Sequence, residues 1–119
     1  MLFRSDTAKE MWDTLENIHE GDKKVNTAKL QVYRAQFENL KMNDDEDIAT
    51  LFLKAAELIN NMKALGEKMP ESIIVQKILR SLPSRFNPKV SAIEETADWE
   101  ALTMNQLLGN LTAYEMRLP

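Results

Sequence analysis

Few residues in this chain have the type and spacing to do chemistry. The densest carboxylate run is Asn43-Asp44-Asp45-Glu46-Asp47. A calcium loop needs alternating oxygen ligands, a central glycine and a distal bidentate glutamate, and this run lacks that spacing. Carboxylates just ahead of an apolar-periodic stretch suit the positive end of a helix, so Asp44 or Asp45 reads as an N-cap. His19 is the one histidine, and there is no cysteine. That excludes a disulfide framework, a Cys-based zinc site and a thiol nucleophile. A lone histidine also lacks the partners of a catalytic triad, and His19 is expected at the surface where a helix ends. Glu10, Glu16 and Glu57 fall on polar helix faces, and nothing places two of them in an apolar cleft. Arg80 and Arg85 bracket the Leu82-Pro83 turn and could hold an anion. A cation near a helix C-terminus is, however, commonly there to offset the dipole. Asn110-Leu111-Thr112 matches a glycosylation sequon, but Leu111 falls on an inward helical stripe. The expectation is no catalytic residue, no metal ligand and no cofactor.

The elements that would position these residues are helical almost throughout, with about six helices and no competing strand pattern. The first is predicted from about Asp6 to His19, with Ala8, Met11, Trp12, Leu15 and Ile18 on one face and Gly21 ending it. The second runs from about Lys24 to Lys41. It carries two stripes, Leu30, Tyr33, Phe37 and Leu40 on one side, and Val25, Ala28, Val32 and Ala35 on the other. The third follows the acidic turn and ends at Leu65-Gly66. Its face of Ile48, Leu51, Phe52, Ala55, Leu58, Ile59, Met62 and Leu65 marks it as the central helix. The fourth starts near Pro70, turns Ile74, Val75, Ile78, Leu79 and Leu82 inward, and stops before Pro83. The fifth spans about Ser84 to Glu95. The sixth opens on a Thr103/Gln106 capping box with a Leu102/Leu107 staple. No internal repeat and no sustained heptad register is read.

Composition sets the class. At 119 residues, 44% apolar and 29% charged, the chain fits one domain, or one small domain plus part of another, with a core that needs no staples. The net charge of −4 and the scattered Lys and Arg disfavour nucleic-acid binding by this segment itself. Lys23-Lys24 is the one adjacent basic pair. No apolar run approaches the roughly 20 residues needed to span a bilayer, and Met1-Leu2-Phe3-Arg4 is too short for a signal h-region. Helical pattern close to both ends leads to the expectation of a fragment of something longer.

Two residues stand out as contact candidates. Trp99 lies in a predicted loop, in the context Ala97-Asp98-Trp99-Glu100. It either plugs the core from outside or anchors a partner, since aromatic side chains are enriched in interface hot spots. Ile73 stands off the Ile74/Ile78 stripe and is expected to point outward with Lys77 and Arg80. Met11, Met62 and Met104 fall on core stripes. Trp12, Leu15, Phe52, Ile59, Leu79, Leu82 and Leu111 are the expected core.

These residues also carry a resemblance. Ala8-Lys9-Glu10-Met11-Trp12 with Leu15 is followed by Leu40-Lys41-Met42 before the acidic turn. Leu65-Gly66, Ile78-Leu79-Arg80-Ser81-Leu82-Pro83, Phe86, Val90 and Ile93 come next, and Leu102-Thr103, Leu107, Leu111 and Glu115-Met116-Arg117 close the chain. In this order and spacing they resemble the Gag polyprotein of copia-type long-terminal-repeat retrotransposons, particularly those of plants. The resemblance implies a capsid-like, all-α fold. Residues 44–119 would correspond to a four-helix C-terminal capsid lobe, and residues 1–43, with two helices, to the end of the N-terminal lobe. Family members usually continue into a Cys-Cys-His-Cys zinc knuckle that binds RNA. With no Cys here, RNA binding would belong to parent-protein segments outside this chain. Trp99 departs from the family pattern, which has an aliphatic residue there.

The function that follows is a non-enzymatic, self-associating structural domain, its partner a second copy of itself in a cytoplasmic virus-like particle, with no membrane. Ile73, Lys77, Arg80 and Trp99 are the candidate self-association contacts. The alternative is a domesticated Gag-like module that recognises a host peptide or protein. A helical enzyme would need convergent polar groups in a pocket, and no such constellation is read.

Overall fold

The computed structural model describes residues 2–96 and 98–119, with side chains from Thr7 onward. The described chain is all-α: α1 (Leu2–Glu38), α2 (Ile48–Ala64), α3 (Glu71–Arg80), α4 (Asn87–Glu94) and α5 (Met104–Glu115). Short 3-10 turns at Ser84–Phe86 and Trp99–Ala101 complete it. It divides into two compact units, Met1–Val32 and Tyr33–Pro119.

The first unit is a length of α1 alone. The predicted break at Gly21 does not occur: α1 is one helix of 37 residues. Gly21 takes no left-handed conformation, and the only positive φ among the described residues is at Gly66. A single glycine in a helix interior costs roughly 1 kcal/mol relative to alanine. Good helix formers on both sides, Glu16, Glu20, Lys23, Lys24 and Ala28, outweigh that. His19 is therefore an exposed mid-helix residue, not a terminal one. Continuity also sets Met11, Ile18, Val25 and Val32 at seven-residue intervals along one helix, a register that an assumed break hides.

Trp12 and Leu15, expected in the core, are exposed, at 62% and 58% of their accessible surface; Met11 is exposed as well. Helical spacing says which face is apolar, not whether anything covers it. A unit consisting of one helix has no second element of its own to bury that stripe.

The second unit holds the core. α2 packs against α5, and α3 against both. Ile48, Leu51, Ala55, Val75, Ile78, Leu107 and Leu111 are fully buried between them, with Met62 and Leu79 nearly so. Phe86 is also fully buried, and its ring meets that of Tyr114 at 5.7 Å between centroids, tilted by 52°. Phe37, Leu40 and Met42 contribute from the end of α1 and the segment after it. Phe52, Ile59 and Leu82, expected in the core, are only half-buried and lie at its margin.

Local chemistry sets the helix ends. The N-cap of α2 is Asp47, not Asp44 or Asp45: its carboxylate accepts from Thr50 N at 2.8 Å and from Thr50 Oγ1 at 2.7 Å. Glu46 folds back to accept from Asn43 N at 3.0 Å and pairs with Lys54. α2 ends at Ala64 with Leu65 as its C-cap, and Gly66 just beyond has a φ of +93°, in the region that favours glycine. Pro70 precedes α3 and Pro83 follows its end. Thr103 and Gln106 form the reciprocal capping box of α5. Two further carboxylates cap helices distant in sequence. Glu115 accepts from Ile48 N at 2.9 Å at the start of α2. Glu71 accepts from Met104 N at 2.7 Å at the start of α5.

Candidate interaction surface

On α3 the buried side chains are Ile74, Val75, Ile78 and Leu79. Residues 73, 77 and 80 follow one another by four and three positions, which puts them on one face. Ile73 is 45% exposed and Arg80 is exposed. Lys77 is half-buried, and its Nζ donates to the carbonyl oxygen of Glu38, the last residue of α1. A cation there offsets the negative helix end, so Lys77 already serves an internal cap. Trp99 is half-buried in the Trp99–Ala101 turn, which packs against α3. α3 thus carries Ile73 and Arg80 outward, ties Lys77 inward and has the Trp99 turn beside it.

Arg85 is structural as well. Its guanidinium donates from Nη2 to the Glu46 carbonyl at 3.3 Å, lies 3.5 Å from Asp44 Oδ1, and stacks over the Phe86 ring at 5.4 Å. Tyr114 Oη donates to the Arg85 carbonyl at 3.3 Å. These contacts join the acidic turn to the segment that leads into α4. Among the described residues no cluster of three or more His, Asp or Glu side chains has metal-binding geometry. Nor is any helix long and apolar enough to cross a membrane.

The electrostatics follow local caps. The ion pair with Lys54, then the hydrogen bond from Asn43 N, hold the Glu46 carboxyl below the usual range. Hydrogen bonds from the Thr50 hydroxyl and backbone do the same for Asp47. Glu67 accepts from Arg34 Nε at 2.9 and 3.0 Å and raises the guanidinium pKa. A groove of about 440 Å³ lies between the end of α1 and α2, lined in part by Tyr33, Gln36, Leu40, Lys54, Leu58 and Asn61. Lys41 and Glu57 also line it, so the lining is mixed in charge and polarity.

One exposed surface is made of residues whose types and spacing are those of a core. Met11, Trp12, Leu15, Ile18, Val25 and Val32 of α1 are all exposed by more than half. Nothing in their types or spacing distinguishes an open stripe from a covered one. No curated protein and no solved structure matches the chain. The family model for the gag polypeptide of LTR copia-type elements matches residues 2–119. With that match across nearly its whole length, the all-helical chain belongs to the gag-polypeptide family of copia-type LTR elements.

Proposed function

We propose that this chain is a structural Gag domain that works by homotypic contact, building a virus-like particle in the cytoplasm around the element's RNA. Its role is burial and shape complementarity, not catalysis. The carrying observation is Ile73: α3 buries its other three aliphatic positions from 74 to 78 and its Leu79, yet holds this isoleucine 45% exposed, two helical turns from the exposed Arg80. An exposed large apolar side chain is a common anchor of an interface. Trp99, on the turn against the same helix, would extend it, and Lys77 would support the face through its bond to the end of α1. Residues 44–119 would act as the capsid C-terminal lobe, and residues 1–43 as the end of the N-terminal lobe. RNA would be held by parent-protein segments outside this acidic chain.

Light scattering over a concentration series tests this reading. Concentration-dependent growth in mass, reduced by Ile73→Asp and by Trp99→Ala, is expected. A chain that stays monomeric at high concentration, with no change on either substitution, would overturn it.

A further inference from the structure

We infer that the α1 segment up to Val32 is a second homotypic surface, on which two copies of the chain pair as antiparallel helices centred near Gly21. The inference shares with the proposed function only the premise that copies meet; the surface is a different one. Met11, Ile18, Val25 and Val32 recur every seventh residue on a continuous helix, Leu15 and Trp12 widen the stripe, and all are exposed. A seven-residue apolar repeat keeps a seam on one side of a helix that coils around another. From Met11 to Val32 the seam runs about 30 Å at 1.5 Å per residue.

Charge selects both the occupant and its direction. From position 7 to 22 the charged residues are Glu10, Asp13, Glu16, Glu20 and Asp22 against Lys9. From position 23 to 32 the charges are Lys23, Lys24 and Lys29, with no carboxylate. A parallel pair would set acidic half on acidic half. An antiparallel pair sets each acidic half on the other copy's basic half and satisfies both ends through one two-fold axis. That axis falls between Ile18 and Val25, where Gly21 offers no side chain and a Cβ would meet nothing within 4 Å. The backbones can approach most closely there. Asp22 and Lys29 occupy seam positions between the aliphatic ones, so the pairing is weak and salt-sensitive, with polar seam residues favouring one orientation.

Sedimentation equilibrium on the full chain, with engineered cysteines, tests this. Wild type is expected to dimerise, and at least tenfold more weakly in 0.5 M than in 0.05 M salt. The Leu15→Asp/Ile18→Asp variant is expected to be monomeric with its thermal unfolding otherwise unchanged, and Ile73→Asp to remain dimeric. Because the chain has no cysteine of its own, mixing Met11→Cys chains with Val32→Cys chains reads direction. An antiparallel pair gives the mixed disulfide in preference to the Met11→Cys homodisulfide, and the opposite preference would overturn the proposal. A dimer that survives Leu15→Asp/Ile18→Asp but is lost in Ile73→Asp would overturn the α1 pairing and leave the proposed function standing. A wild-type monomer at millimolar concentration would overturn both.

Discussion

Burial, not hydrophobicity, decides what a residue contributes here. Leu111 and Trp12 are both large and apolar and both lie on helical stripes, yet one is fully buried and the other 62% exposed. Leu111→Ala should cost about 2–5 kcal/mol, the range for opening a cavity in a packed core. Trp12→Ala should stay within about 0.5 kcal/mol, as surface substitutions do. Chemical denaturation of the two variants checks the contrast. The acidic turn makes a second prediction at this scale. Glu46 and Asp47 have folded pKa values below their unfolded ones, so the folded state is favoured while both are ionised. That contribution is complete above the ordinary carboxylate range near pH 4 and is lost as pH falls below it through the lowered folded values. Stability should therefore fall on acidification below about pH 4. The fall should be shallower in Asp47→Asn, measured as the unfolding midpoint against pH.

The start of α5 and the turn after α2 fall where their cap residues put them, because a cap is a local hydrogen-bonding problem solved by nearby residues. Thr103 with Gln106, and Gly66 with its positive φ, were legible for that reason. α1 shows the limit of the same logic. Gly21 is a permissive residue rather than an instruction, and whether it ends a helix depends on the flanking turns. Gly21→Ala should stabilise α1 by up to about 1 kcal/mol and raise the helical circular dichroism signal. Gly21→Pro should lower that signal by breaking the helix at the preceding turn. The acidic turn reads as a cap from its composition, but the capping residue is Asp47 rather than Asp44 or Asp45. Several adjacent carboxylates can each reach a free N–H, and only the chain path between α1 and α2 selects one.

At the scale of the molecule, the two units differ in kind: one is a helix with an open stripe, the other a multi-helix core. The second should fold by itself. A chain beginning at Tyr33 should unfold cooperatively, with a midpoint close to that of the full chain. Loss of the transition by differential scanning calorimetry would show that the core needs the first unit. The all-α class, the Thr103/Gln106 start of α5, the Gly66 turn after α2, most of the inward faces of α2, α3 and α5 and the family membership all follow from the sequence. Each depends on residue order over one or two helical turns, or on the whole pattern at once. Tertiary structure alone decided that Glu115 and Glu71 cap helices distant in sequence, that Lys77 closes the end of α1, and that Trp12 and Leu15 lie open. These depend on which elements meet in space. Helical periodicity encodes the direction a side chain points, and the presence or absence of a neighbour there is a property of the packing.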